Sequence, residues 1–227
     1  MSVDKRAKIV SFVGQKGGVG KSALARLLAV GAAHRGNSVL LADFDLDQLT
    51  CVEWNARRMQ NELTPEIDAR AVKSLKKLRG AEHAADIIIV DTRGLADDLT
   101  KEVAEESDQV FLPTGLSADD LRPTLALARK LAKRGAEGRL CLVLSRVGRS
   151  EPQMEAAMAA IEESGFDFLR APWPQRDGFQ SDMDAGRAGR EARNPYLRAA
   201  AMEVEEAMMG LLAGKKRSFE RHRSLKA

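Results

Sequence analysis

Val10-Ser-Phe-Val-Gly-Gln-Lys-Gly-Gly-Val-Gly-Lys-Ser22 is the stretch that decides how the rest of the chain is read. Ile9–Val13 is a short apolar run rich in β-branched residues, which predicts a buried strand. Gly14, Gly17, Gly18 and Gly20 follow it, and Ala23-Leu-Ala-Arg-Leu-Leu-Ala29 then forms a strong helical run. Strand, glycine loop and helix in that order make a cradle for phosphate. Glycines let the backbone close on an anion, N–H groups converge on it, and the helix N-terminus adds partial positive charge. Gly17, Gly18, Val19, Gly20, Lys21 and Ser22 are the predicted contacts, with Lys21 reaching the β- and γ-phosphates and the Ser22 hydroxyl on Mg²⁺. A dinucleotide fingerprint also matches Gly18–Ala23, with Asp43 about twenty residues on. It should open directly off the strand, however, whereas Gly18 lies well beyond Val13, and two loop lysines suit a triphosphate better.

Composition sets the outer bounds. At 227 residues with 44% hydrophobic content, the chain is long enough for one well-buried α/β domain. Aromatics make up only 4%, so the core must be built from Leu, Val, Ile, Ala and Met. A net charge of +3 does not by itself imply nucleic acid. Cys51 and Cys141 stand alone, which argues against a disulfide framework, a zinc site or an iron–sulfur cluster and suits a reducing compartment. No apolar run reaches transmembrane length, and the expectation is a cytoplasmic protein without stable membrane insertion.

Apolar runs alternate with helical patterns along the chain. Further strands are expected at 38–42, 67–72, 87–90, 109–112, 139–145 and 166–170, the 109–112 strand stopping at Pro113. Helices are expected over 49–60, 72–83, 121–134 and 152–164, with Asp120 capping the helix that contains Pro123. Asn194-Pro195 opens a last helix with Leu197, Ala201, Val204, Met208 and Leu211 on one face. This alternation predicts an α/β fold with a mostly parallel central sheet and helices on both faces. Residues 1–213 form one domain in this reading. Residues 214–227 carry six Lys or Arg against a lone Glu220 and are expected to be a disordered basic tail.

Ligands of open parallel sheets bind beyond the carboxyl ends of the strands. Asp43, Asp45 and Asp91 stand at such ends and are the candidate metal-site and water-orienting carboxylates. An isolated strand-end Asp serves equally well as a turn former or helix cap. Three of them beside a phosphate loop call for chemistry.

Lys16-Gly-Gly-Val-Gly-Lys-Ser22 departs from the usual phosphate-loop pattern by having Gln15 where a glycine is wanted and by carrying a second lysine. In both respects it resembles the deviant Walker A motif of the ParA/MinD family of ATPases, and the resemblance extends over most of residues 8–213. Asp43-Phe-Asp45-Leu-Asp47-Gln48 is similar to the family's switch I, and Asp91-Thr-Arg-Gly94 to its Walker B and switch II, with Arg93 where proline is common. Pro113–Leu121 is similar to the family's proline-to-serine segment, and Arg176 falls where the family carries an arginine at the nucleotide. Ser145 stands where the family often has asparagine. The resemblance implies an ATP- and Mg²⁺-dependent homodimer with the nucleotide between subunits. Lys16 would reach the partner's nucleotide, Lys21 its own, Asp45 would position water, and Ser22, Asp43 and Asp91 would serve the metal.

Gln before Lys-Gly-Gly is the ParA habit, and the short segment ahead of the first strand leaves no room for a helix-turn-helix. The expected function is therefore a small partition ATPase that positions a plasmid, chromosome region or other cargo. It would bind DNA non-specifically, associate with the nucleoid when ATP-bound, and have its hydrolysis stimulated by a ParB-like adaptor. Arg187, Arg190, Arg193 and Arg198 are the candidate DNA contacts. The alternatives are a MinD-like membrane-associated ATPase, which would need an amphipathic C-terminal helix, and a metabolic ATP-dependent ligase or kinase, for which no acceptor-binding motif is found.

Overall fold

In the computed structural model, residues 6–80, 85–94, 97–148 and 150–214 are described. Strands β1 (Lys8–Phe12), β2 (Val39–Asp43), β3 (Asp68–Ala71), β4 (Ile87–Asp91), β5 (Gln109–Thr114), β6 (Leu140–Val147) and β7 (Asp167–Pro174) form one sheet in the order β3-β2-β4-β1-β5-β6-β7. Every pairing is parallel. The helices between and after them are α1 (Lys21–His34), α2 (Thr50–Gln60), α3 (Leu75–Arg79), α4 (Asp98–Glu106), α5 (Ala118–Leu131), α6 (Glu151–Glu163), α7 (Asp177–Asp184) and α8 (Pro195–Leu212). Among the described residues, no helix is long and apolar enough to cross a membrane.

The residues of β2, β4 and β5 are wholly buried and those of β1 and β6 nearly so, and their alternation assigns each to a layer. Phe12, Leu41, Ile89, Phe111 and Val143 face the layer that contains α1 and α8. Ile9, Leu40, Ile88 and Val90 face α3 and α4, while Val110, Leu112, Leu142 and Leu144 face α5 and α6. Arg58 of α2 is almost wholly buried and pins that helix across the fold. Its guanidinium donates to Glu191 and to the carbonyls of Pro65 and Gly186.

Several local expectations are corrected. Pro113 does not stop its strand: β5 runs on to Thr114, and Pro113 pairs with Val143. Val13 N–H donates to the Phe111 carbonyl, so the 111 and 113 positions face β1, whose ladder ends at Phe12–Phe111. A missing N–H at 113 therefore costs nothing. The cap of α5 is Ser117, whose hydroxyl accepts the Asp120 N–H, and Asp120 lies within the first turn. The helix expected over 72–83 covers only Leu75–Arg79, and 81–84 lie outside the described residues. Helices α4 and α7 were not expected from the pattern. The basic tail lies outside the described residues beyond Gly214.

Candidate nucleotide site

The loop 13–20 leaves the carboxyl end of β1, the strand at the middle of the sheet, and runs into α1. Gly20 takes φ +93°, a left-handed conformation, and a Cβ there would stand 2.5 Å from the Ser145 hydroxyl at the end of β6. Gly94, after β4, is equally constrained, since its Cβ would meet the Gly17 nitrogen at 2.7 Å. The loop is thus wedged between β6 and the segment following β4, with no room for side chains at the two points of contact. No side chain caps α1, and no acid lies in its first turn. Its leading N–H groups are left for an anion.

The two lysines of the loop have different surroundings. Lys21 is buried, donates to the Lys16 carbonyl at 3.1 Å and lies in the field of Asp91 and Asp45. Burial lowers its pKa, and the two carboxylates oppose that shift. Lys16 is exposed and extends away from the loop to Asp120 Oδ1 of α5, 2.8 Å away. Asp120 also accepts the Ser117 hydroxyl, and the two hydrogen bonds hold its carboxyl below the ordinary range.

The strand-end carboxylates likewise divide. Asp43 and Asp91 are register partners on β2 and β4, and both are buried. Asp43 Oδ2 accepts the Cys51 and Val52 N–H groups at 2.8 and 3.3 Å, and its Oδ1 accepts Asp45 N–H at 3.0 Å. Both oxygens thus accept backbone N–H groups, and through them Asp43 caps the start of α2 and fixes the turn carrying Asp45. Asp91 Oδ2 accepts the Cys51 thiol at 3.2 Å, and its Oδ1 is buried without a partner. Burial pushes the Asp91 carboxyl up to about 6, against the pull of Ser22 and Lys21. An orphaned, buried oxygen on a carboxylate whose side chain also meets the Ser22 hydroxyl, beside the phosphate loop, fits the oxygen chemistry of Mg²⁺. Asp45 is half-buried, on the same side as Lys21.

One residue beside the loop had no reading in the sequence. Arg146 takes φ +58° where the β6–β7 register shifts, and its guanidinium donates to the Gly18 carbonyl at 3.3 Å. Ser145, behind it, has a buried hydroxyl with no partner. Arg176 stands at the position just before α7, beyond β7, without a side-chain cap bond, and its guanidinium folds onto the Gln175 carbonyl.

The four arginines assigned to DNA do not form one helical face. Arg187 lies in a loop and is half-buried, with its carbonyl bound by the Trp54 indole. Arg190 pairs at 2.6 Å with Glu205 of α8, a buried carboxylate that also takes Arg35. Arg193 pairs at 2.7 Å with buried Asp182, though most of its side chain is exposed. Arg198 is exposed on α8.

Comparison with known proteins agrees with this geometry. The ParA protein of Rhizobium radiobacter is 22% identical over 185 residues, covering 78% of this chain and 83% of that protein. The septum site-determining protein MinD of Pyrococcus horikoshii, complexed with Mg-ADP, superposes with a TM-score of 0.73 at 18% identity, covering 93% of this chain and 99% of that one. A plasmid partition protein of Borrelia burgdorferi bound to AMPPNP gives 0.70 at 17% identity over 91% of this chain and 100% of that one. Residues 10–186 match the family model described as the CobQ/CobB/MinD/ParA nucleotide binding domain, and the chain belongs to that family.

Proposed function

We propose that this chain is an ATPase that pairs with a second copy of itself when ATP is bound, binds duplex DNA non-specifically in that state, and positions a DNA or protein cargo. An adaptor protein of ParB type would set the hydrolysis rate. The observation that carries this reading is the contrast between Lys21 and Lys16. A single nucleotide needs one lysine inside its loop, and Lys21 is buried there. Lys16 stands exposed on the rim of the same loop, where it has a use once a second molecule covers it.

In this reading, Gly17–Ser22 wrap the phosphates and Lys21 sits against the β- and γ-oxygens. Lys16 reaches the partner's nucleotide, and Asp45 orients the attacking water. Ser22 and Asp91 would hold Mg²⁺, which when bound neutralises charge on the β- and γ-phosphates. Asp43 serves by holding Asp45 and α2 in place. Arg176 lies at the same edge of the sheet, where it would approach the nucleotide. DNA phosphates would be met by Arg187, Arg193 and Arg198, with residues 214–227 adding charge, while Arg190 serves Glu205. Such a protein would be cytoplasmic and nucleoid-associated in its ATP state.

Light scattering on the Asp45→Ala variant, expected to bind ATP without hydrolysing it, tests the pairing. The mass should double with ATP and stay monomeric with ADP, and Lys16→Ala should undo the doubling. A monomer with ATP would refute the shared site. Sedimentation with duplex DNA and with anionic liposomes tests the surface: DNA capture that needs ATP supports the proposal, and capture by liposomes alone would replace it with a membrane-associated ATPase.

A further inference from the structure

Cys51 is buried at the start of α2 and has no part in the reading above. Its backbone N–H donates to Asp43 Oδ2 at 2.8 Å, and its thiol donates to Asp91 Oδ2 at 3.2 Å. One residue thus ties together the carboxylates at the ends of β2 and β4, which stand opposite each other in the sheet. Cys51 is also the second residue of the helix that follows the Asp45 segment, and Leu49 N–H closes onto the Asp45 carbonyl just ahead of that helix. The consequence for Asp91 is directional. With Oδ2 engaged by the thiol, Oδ1 is left buried and unpartnered.

We infer that Cys51 is a positioning residue for the Mg²⁺ site: its S–H holds the Asp91 carboxylate so that Oδ1 is presented to the metal, and it couples that orientation to the position of the Asp45 segment. A cysteine suits this place for a physical reason. The thiol is a weak donor with no strong demand for partners of its own, so it can sit fully buried among apolar neighbours and still orient a carboxylate. The inference rests on the ATPase reading, since it concerns the metal of that site.

The test separates metal binding from nucleotide binding and from folding. Affinity for a fluorescent ATP analogue is measured in EDTA and then as a function of Mg²⁺, for wild type, Cys51→Ala, the near-isosteric Cys51→Val and the donor-retaining Cys51→Ser. Groups that hold a metal-binding carboxylate influence metal affinity by roughly tenfold or more. Cys51→Ala and Cys51→Val are therefore expected to need about tenfold more Mg²⁺ for the half-maximal effect, with EDTA affinity within about twofold of wild type. Cys51→Ser should recover most of the difference. If Cys51→Ala does not fold, the comparison of Val with Ser carries the test alone. An unchanged Mg²⁺ midpoint in the donor-free variants, or an equal loss in EDTA, would overturn the inference and leave the ATPase reading standing. Wild type that binds the analogue without regard to Mg²⁺ would overturn both.

Discussion

Removing Asp120 should make this protein dimerise more tightly. In the single chain, Asp120 Oδ1 holds Lys16 Nζ at 2.8 Å, on the side of the loop that faces α5. If Lys16 must leave this contact to serve a second subunit's nucleotide, each dimer breaks two such pairs. Both side chains are substantially exposed, 44% for Lys16 and 30% for Asp120, so each pair contributes only about 0.2–1 kcal/mol. Two pairs amount to about 0.4–2 kcal/mol, which corresponds to roughly 2- to 30-fold in the dimer dissociation constant. The Asp120→Ala change, in the Asp45→Ala background with saturating ATP, should lower that constant by this factor in sedimentation equilibrium. Raising the salt should narrow the gap between the variants, since the lost pair is solvent-exposed. Adding Lys16→Ala should cancel the gain, because the restraint and the restrained group are then both gone. If Asp120→Ala weakens the dimer instead, Asp120 supports Lys16 in the paired state and the restraint argument fails.

Three other perturbations have definite signs. Gly94→Ala drives a Cβ to within 2.7 Å of the Gly17 nitrogen, so ATP affinity measured by calorimetric titration should fall by about tenfold or more, and unchanged affinity would show that the loop gives way freely. Asp91, raised to about 6 by burial, binds a proton more readily folded than unfolded, so its contribution to stability falls as pH rises from about 4 towards 6 and stays unfavourable above. Asp91→Asn should accordingly raise the apo melting temperature at pH 7 by several degrees, from about 2–3 kcal/mol, while abolishing Mg²⁺-dependent nucleotide binding, and a lowered melting temperature would contradict the assignment. Arg190→Ala takes one of the two cations from buried Glu205, which keeps Arg35, and should cost about 1.5–3 kcal/mol in denaturant unfolding. Arg198→Ala should leave stability within about 0.5 kcal/mol and reduce the salt dependence of DNA binding, and equal effects on stability would refute this division.

The parts of this fold that could be read from sequence are those whose signals are local. Ile9–Val13, the glycines after it and the helical run from Ala23 specify strand, loop and helix within one stretch, and Ile87–Asp91 is apolar enough to be buried on any reading. Helix α7 escaped because Asp177–Asp184 buries only Phe179 and Asp182, too little for a helical period to show. Asp182 is buried because Arg193, eleven residues on, comes back to meet it through both its N–H and its guanidinium. The spacing of Arg187, Arg190 and Arg193 suggested one basic surface for the same reason. Sequence shows the cations but not Asp182 and Glu205, which the fold brings beneath two of them.

The start of α5 shows how one local ambiguity propagates into the site. Ser117 and Asp120 are both good capping residues, three positions apart, and propensity alone does not choose between them. Had Asp120 been the cap, its carboxylate would accept an N–H from its own helix and could not lie in the first turn. With Ser117 as the cap, its hydroxyl accepts the Asp120 N–H and donates in turn to Asp120 Oδ2, which sets the carboxylate and leaves Oδ1 clear. That oxygen is the one Lys16 reaches from more than a hundred residues away. Gly115 permits the arrangement, because a Cβ there would collide with the Asp120 carboxyl. The resting position of the second loop lysine therefore depends on which of two neighbouring residues begins a helix on another strand's connection, a choice settled by tertiary contact.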